Sequence, residues 1–172
     1  MPQNIRILRK QDGQEISGTY LHAFIHNGDY FLTEIKIYAD GKIDCWGLVD
    51  FAEFKEKVRT GWVVTQIPEG SKIKVSNLAI LTATGVNAFV DEDEFVKEVS
   101  DEIRDLKGEP TSSDKCRSAY NDFIKAPSDS AREELKKAYE AVPKHLRRFV
   151  LHDQDAKDSA IKRIIYERVG PA

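Results

Sequence analysis

Thr19-Tyr20-Leu21-His22-Ala23-Phe24-Ile25-His26-Asn27-Gly28-Asp29-Tyr30-Phe31-Leu32-Thr33-Glu34-Ile35-Lys36-Ile37-Tyr38 is the stretch whose reading decides the fold. Two runs rich in β-branched and aromatic residues flank an Asn-Gly pair, the strongest short-range signal for a β-hairpin. Taken as a two-residue turn, Asn27 and Gly28 put Ile25 opposite Tyr30, Phe24 opposite Phe31, His22 opposite Thr33 and Tyr20 opposite Ile35. Side chains alternate across a strand. One face then carries Tyr20, His22, Phe24, Phe31, Thr33, Ile35 and Ile37, and is the expected core face, with His22 as a hydrogen-bonded structural histidine. The other carries Leu21, Ala23, Ile25, Tyr30 and Leu32 near the turn, and Glu34 and Lys36 away from it. This second face is apolar at one end only. Either the first strand or a helix covers that end, or Leu21, Ile25, Tyr30 and Leu32 form a partner-binding surface.

On the N-terminal side, Ile5-Arg6-Ile7-Leu8 reads as a short strand and Asp12-Gly13 as a turn. On the C-terminal side, Asp40-Gly41 is a turn and residues 42–46 a strand. Asp50-x-x-Glu53 is a capping-box pattern that opens a helix with Phe51, Phe54 and Val58 on one side, closed by Thr60-Gly61. Residues 62–67 and 72–75 read as strands, and the apolar residues 78–84 as a central one. Asp91-x-x-Glu94 opens a second helix, with Phe95, Val99, Ile103 and Leu106 inside and Gly108 at its end. Both helices have narrow apolar stripes, so each needs a sheet to bury it. Tight turns join the early strands, which disfavours a parallel, doubly wound sheet. The fold class is therefore α+β: an antiparallel twisted sheet with two covering helices, followed by a C-terminal helical part.

Glu109-Pro110-Thr111-Ser112-Ser113 is the candidate linker, dividing a sheet-and-helix domain, 1–108, from a helical segment, 109–172. Charge changes there too. Residues 1–108 hold 13 Lys+Arg against 18 Asp+Glu, a net of −5; residues 109–172 hold 13 against 11, a net of +2. After the linker every segment reads as helix. Ser130-x-x-Glu133 is the expected cap of a helix with Leu135, Ala138, Tyr139 and Val142 inside. Pro143 begins another, with Leu146, Phe149 and Val150. Ala160, Ile161, Ile164 and Ile165 line the last. At about 60 residues an isolated core is marginal, so this segment is expected to pack on the first part.

The 172 residues, 41% hydrophobic and 32% charged, have the balance of a globular protein. No apolar run approaches the ~18 residues that a membrane helix needs, and the N-terminus lacks the pattern of a secretory signal. The expected location is the cytoplasm, with no membrane partner. Cys45 and Cys116 lack His or Cys at metal-ligand spacing and read as small buried hydrophobes. There is no Gly-rich phosphate loop, no Gly-x-Ser-x-Gly elbow and no His-Glu-x-x-His motif. His152, Asp153, Asp155 and Asp158 suggest a metal or phosphoesterase cluster, but further ligands are missing, and a loop with helix-capping aspartates accounts for them. No catalytic residue, metal site or cofactor is assigned. Lys144, Arg147, Arg148, Lys162 and Arg163 form a basic cluster suited to an acidic protein or to phosphates, against the plainer reading of a solvated helix surface with local ion pairs.

Tyr38-Ala39-Asp40-Gly41, Cys45-Trp46-Gly47, Gly61-Trp62-Val63-Val64-Thr65 and Ile67-Pro68-Glu69-Gly70, with Gly108-Glu109-Pro110-Thr111-Ser112 and Leu146-Arg147-Arg148-Phe149-Val150, resemble a family of small uncharacterised bacterial proteins without assigned activity. In size, acidity and lack of enzyme chemistry the chain is similar in type to bacterial immunity proteins. The expectation is a non-catalytic protein-binding protein, of the immunity or antitoxin kind, with another protein as partner. The alternatives are a nucleic-acid-associated accessory protein using the basic cluster, or an unrecognised enzyme around His22 or His152.

Overall fold

The computed structural model of the protein describes residues 6–85, 88–152 and 158–167. The chain divides into two compact units, Met1–Glu109 and Pro110–Ala172.

The first unit is built on a long hairpin. Strand β2 (Gln14–Asn27) pairs antiparallel with β3 (Asp29–Tyr38) along its C-terminal ten residues. The other strands are short and attach near the corners of this hairpin. On the far side of β2, β1 (Ile7–Gln11) pairs at one end and β6 (Val63–Val64) at the other. On the far side of β3 stand β4 (Ile43–Asp44) at one end and β7 (Lys72–Val75) at the other. β5 (Leu48–Val49) follows β4, and β8 (Ala79–Thr82) follows β7. Each long strand thus has three partners, and the sheet curls. One pairing, β3 with β7, is parallel. The fold class is α+β, as expected.

The hairpin is where expected, but its register is not. Asn27 pairs with Asp29, and the chain reverses about Gly28, whose φ of +75° suits glycine. Ile25 therefore faces Phe31, Phe24 faces Leu32, His22 faces Glu34 and Leu21 faces Ile35. The period of a strand is two, so this one-residue slip turns β2 over. Thr19, Leu21, Ala23 and Ile25 join Phe31, Thr33, Ile35 and Ile37 on the inner face, while Tyr20, His22, Phe24 and His26 point outward with Tyr30, Leu32, Glu34 and Lys36. The two-residue turn occurs instead at Asp12-Gly13, between Gln11 and Gln14, with both residues at positive φ.

Helices α1 (Phe51–Arg59) and α2 (Glu92–Leu106) supply the rest of the core. Asp50 caps α1 in a full capping box: its carboxylate accepts from the Glu53 N–H at 2.8 Å, and the Glu53 carboxylate accepts from the Asp50 N–H at 2.9 Å. Asp91 accepts from the Glu94 N–H and caps α2. Phe54 and Val58 of α1 and Phe95, Val99 and Ile103 of α2 pack with Ala23, Ile25, Ile35, Ile37, Ile43, Cys45 and Val63 in one buried cluster. The apolar stripe at helical spacing and the alternating stripe of the inner face meet there, each burying the other.

Two strand expectations change. Residues 62–67 contribute only Val63–Val64, and the apolar run read as a central strand forms β8, which among the described residues pairs only with β7 and lies at the edge.

The second unit is helical: α3 (Ser112–Lys125), α4 (Asp129–Ala141), a 3-10 turn at Arg147–Phe149 and α5 (Ser159–Tyr166). Thr111, read as linker, is the cap of α3, in a capping box with Asp114. Ser128, and not Ser130, caps α4 by accepting from the Ala131 N–H. The residues after Pro143 form turns and the 3-10 segment in place of a helix, leaving Phe149 exposed while Val150 is buried. Cys116, Leu135, Tyr139, Val142, Val150 and Ile161 give this unit a core of its own.

Candidate functional site

The loop joining β4 and β5 is Cys45-Trp46-Gly47. Trp46 has φ +65°. Short hairpin loops often need a residue in the left-handed region, and glycine or asparagine usually fills it. Tryptophan there costs roughly 1 kcal/mol of backbone strain. Its indole is nonetheless half exposed, at 50%. Burial therefore does not fully offset the strain.

What surrounds the indole is ordered. The Phe31 ring lies 4.9 Å away at 63°, and the Trp62 ring 6.2 Å away at 78°, both in edge-on contact. Trp62 Nε1 donates to the Cys45 carbonyl at 3.1 Å, which ties its indole to the base of the loop. The Gly47 N–H donates to Asp44 Oδ1 at 3.2 Å. Lysines stand over two of the rings: Lys57 Nζ is 5.1 Å from the Trp62 centroid, and Lys74 Nζ 5.0 Å from that of Phe31. Lys74 also pairs with Asp29 at 2.9 Å, and that hydrogen bond holds the Asp29 carboxyl below its usual value. Leu48, two residues after Trp46, is exposed as well. The result is a preorganised aromatic platform with a cationic rim, anchored by Trp62 and topped by Trp46. The two indoles differ in setting: Trp62 is the anchor and Trp46 the exposed ring.

A second surface is the outer face of the hairpin. His26, Tyr30, Ile73 and Leu81 lie in register across β2, β3, β7 and β8. Phe24 faces Leu32, and Val75 faces Ala79, on the same side. His26 stacks on Tyr30 at 4.4 Å, and Tyr20 meets His22 edge-on at 5.3 Å. The partner face expected from sequence is thus split. Tyr30 and Leu32 lie on it, but Leu21 and Ile25 turn into the core, where Ile25 is fully buried. Phe24, Ile73 and Leu81 were missed. His22, expected in the core, is exposed opposite Glu34. The signal that finds the outer face is the pair His22 and His26, which share one side of β2.

The basic cluster of the second unit is largely engaged. Arg147 Nε donates to the Val142 carbonyl and Nη2 to the Glu140 carbonyl, both at 2.9 Å, and its guanidinium stands 5.1 Å over the Tyr139 ring. It closes the C-terminus of α4, where helix carbonyls lack partners. Lys162 pairs with Asp158 at 3.1 Å, Arg163 approaches Glu167 at 3.9 Å, and Arg148 lies over Phe149. Lys144 is exposed and is also engaged in a contact. Asp158 is buried and accepts from the Tyr139 hydroxyl as well as from Lys162. Burial pushes its carboxyl up, but those hydrogen bonds outweigh it and hold the group below its usual value. Asp158 stands at the start of α5 without a side-chain capping bond, so its work is to tie Tyr139 to α5. Of the suspected cluster around His152, residues Asp153 and Asp155 lie outside the described residues, and His152 is exposed. Among the described residues no three His, Cys, Asp or Glu side chains group to hold a metal, and no helix is long and apolar enough to cross a membrane. Cys45 and Cys116 are free and buried, and burial pushes each thiol up to about 11.

Residues 6–110 match the family model of a domain of unknown function, DUF7638. The chain belongs to the DUF7638 family. Residues 111–171 match a second model, DUF7639, also a domain of unknown function. Searches among curated proteins and among solved structures found no match. The expected kinship with an uncharacterised family holds. The DUF7638 match contains both the Trp46 platform and the outer face. The basic residues lie in the DUF7639 match. The seam between the two matches falls one residue from the division into compact units.

Proposed function

We propose that the protein is a non-catalytic binding protein whose contact with a partner protein centres on Trp46, and that it acts as an inhibitor of the immunity or antitoxin kind. The observation that carries this reading is the half-exposed Trp46 indole, held in the left-handed region against Phe31 and Trp62 with Lys57 and Lys74 at its rim. Exposed tryptophans on rigid supports are the side chains that most often dominate protein interfaces. The support is already in place before binding, so little side-chain entropy is lost on contact. The lysine rim favours a partner surface that brings carboxylates.

The test is photo-crosslinking in the native host, with a crosslinking amino acid at Leu48, comparing the otherwise unchanged protein with Trp46→Ala. A protein product of defined mass that Trp46→Ala loses, while its unfolding midpoint stays within a few degrees, supports the reading. If that product is toxic when expressed alone, co-expression should relieve the toxicity, and Trp46→Ala should relieve it less. Equal crosslinking of both proteins, or no product with either, refutes it.

A further inference from the structure

We infer that Lys57 is the residue with which the Trp46 platform recognises its partner, by pairing with one side-chain carboxylate of a protein surface laid on the indole, while Lys74 braces the platform. The inference rests on the reading of Trp46 as the centre of contact and adds the chemistry of what is contacted.

Lys57 is fixed in place. It lies in the last turn of α1 and is half-buried. Its carbonyl accepts from the Trp62 N–H at 2.9 Å, and its ammonium stands 5.1 Å from the Trp62 ring centroid. Trp62 in turn donates to the Cys45 carbonyl, at the base of the Trp46 loop. Burial pushes the Cys45 thiol up and the Lys57 charge opposes it, so that charge is felt at the loop.

The neighbouring carboxylates are engaged elsewhere. Glu53 precedes Lys57 by four residues on α1, at ion-pair spacing, but it accepts from the Asp50 N–H in the capping box. Glu56 pairs with Arg59. Asp44, just before the loop, accepts from the Gly47 N–H. Among the described residues Lys57 has no ion-pair partner. Lys74 differs, since Asp29 holds it at 2.9 Å. Of the two lysines over the platform rings, one charge is met within the chain and the other is not. A half-buried ammonium has lost part of its hydration, and an incoming carboxylate replaces it. A seated partner also keeps water from the pair, which sets it apart from an ordinary exposed ion pair.

A protein carboxylate is favoured over the phosphates of a nucleic acid. Residues 1–108 carry 13 Lys+Arg against 18 Asp+Glu, a net of −5, which opposes a polyanion along its length. A nucleic acid also needs a track of cations for its backbone. A single carboxylate responds chiefly to charges within about 8 Å, the screening length at physiological salt, and the Lys57 ammonium is held beside the platform where it would arrive.

The experiment joins lysine to carboxylate directly. The full chain in native-host extract is treated with a water-soluble carbodiimide, which couples an ammonium to a carboxylate only where the two touch, and the products are mapped by peptide mass spectrometry. The reference is the protein captured by the photo-crosslinker at Leu48. The expected product is an amide between Lys57 Nζ and an Asp or Glu of that same protein. Lys57→Gln should lower capture at Leu48 at least about 10-fold, as for loss of one member of a partly desolvated ion pair. Lys57→Arg keeps the charge and should hold capture within about 3-fold, and Lys74→Gln should lose less than Lys57→Gln. If Leu48 captures a protein but no amide forms at Lys57 of the wild type, the inference is overturned and the Trp46 reading stands; this measurement needs no variant to fold. Capture by Lys57→Gln equal to that of the wild type has the same meaning. No capture at Leu48, or capture that nuclease treatment abolishes, overturns both.

Discussion

Replacing Ile25 and Phe24, one at a time, by alanine gives opposite rankings in the two registers of the hairpin. Ile25 is fully buried among Ile35, Phe54, Val63 and Val99, whereas Phe24 lies half-buried on the outer face. Ile25→Ala removes about three methylene equivalents, worth roughly 2.4 kcal/mol at about 0.8 each. The cavity left between sheet and helices, roughly 60–80 Å³, adds about 1.5–2 kcal/mol. The total is about 4 kcal/mol, a large part of the stability of a domain this size. Phe24→Ala deletes a larger group, but one that water already reaches, so about 1–2 kcal/mol is expected. A two-residue turn at Asn27-Gly28 would invert the order, putting Phe24 inside and Ile25 outside. Urea unfolding followed by tryptophan fluorescence measures the difference cleanly. Both tryptophans, Trp46 and Trp62, belong to the first unit, so the signal reports that unit alone. The midpoint should fall much further for Ile25→Ala than for Phe24→Ala, with similar slopes. A Phe24→Ala protein less stable than Ile25→Ala refutes the register.

Gly18→Ala should destabilise the first unit by about 1–3 kcal/mol in the same assay. A Cβ there would lie 2.5 Å from the Ile37 carbonyl oxygen and 2.7 Å from the Tyr38 ring, and the carbonyl belongs to the paired strand and has little room to move. Glu102 is half-buried on α2. Burial first, then the carboxylates of Glu98, Asp105 and Asp101, push its carboxyl up to about 7 from 4.5. The folded state thus holds this proton more tightly than the unfolded chain. The stabilisation is complete below about pH 4.5 and is lost as pH rises through 7. Glu102→Gln should leave stability unchanged near pH 4 and raise it by roughly 1–2 kcal/mol at pH 8, after allowing for solvent screening. A thermal-unfolding series across pH checks this, and an equal effect at both ends refutes it. Arg147→Lys should cost the second unit about 1–2 kcal/mol, because an ammonium cannot reproduce the two directed bonds to the Glu140 and Val142 carbonyls and the contact with Tyr139. Thermal melting by circular dichroism would show it, and an unchanged melt contradicts the capping role.

Sequence was most informative where a local device suffices. Asp50 with Glu53, Asp91, Gly61 and Gly108 bracket their helices as read, because a cap is settled within a few residues. The hairpin register was not legible from the Asn-Gly pair, since reversals of more than one length use it. Nor did the pattern of β2 decide, as Tyr20, Phe24 and Leu21, Ile25 make both faces partly apolar. The histidines were the better clue, since two imidazoles on one face favour water. β8 was read as central because its composition is that of a buried strand. Burial depends on what lies alongside, and no window of sequence contains that. The same limit applies to Arg147, whose partners come from the end of a preceding helix. The left-handed backbone of Trp46 and its exposure were likewise not legible in sequence.

The corner arrangement of the short strands leaves a mark on the time that β2 amides take to exchange with solvent. β1 reaches Gly18 and β6 begins at Phe24, so among the described residues no strand flanks residues 19–23 on that side. His26 donates its N–H to Trp62, on the β6 side. By alternation the N–H groups of Tyr20 and His22 point toward the unflanked side, and those of Leu21 and Ala23 toward β3. Deuterium should therefore enter the middle of this strand at every second position. Tyr20 and His22 would label early, while their immediate neighbours wait for a larger opening of the domain. One strand would then contain, residue by residue, both a local and a global clock.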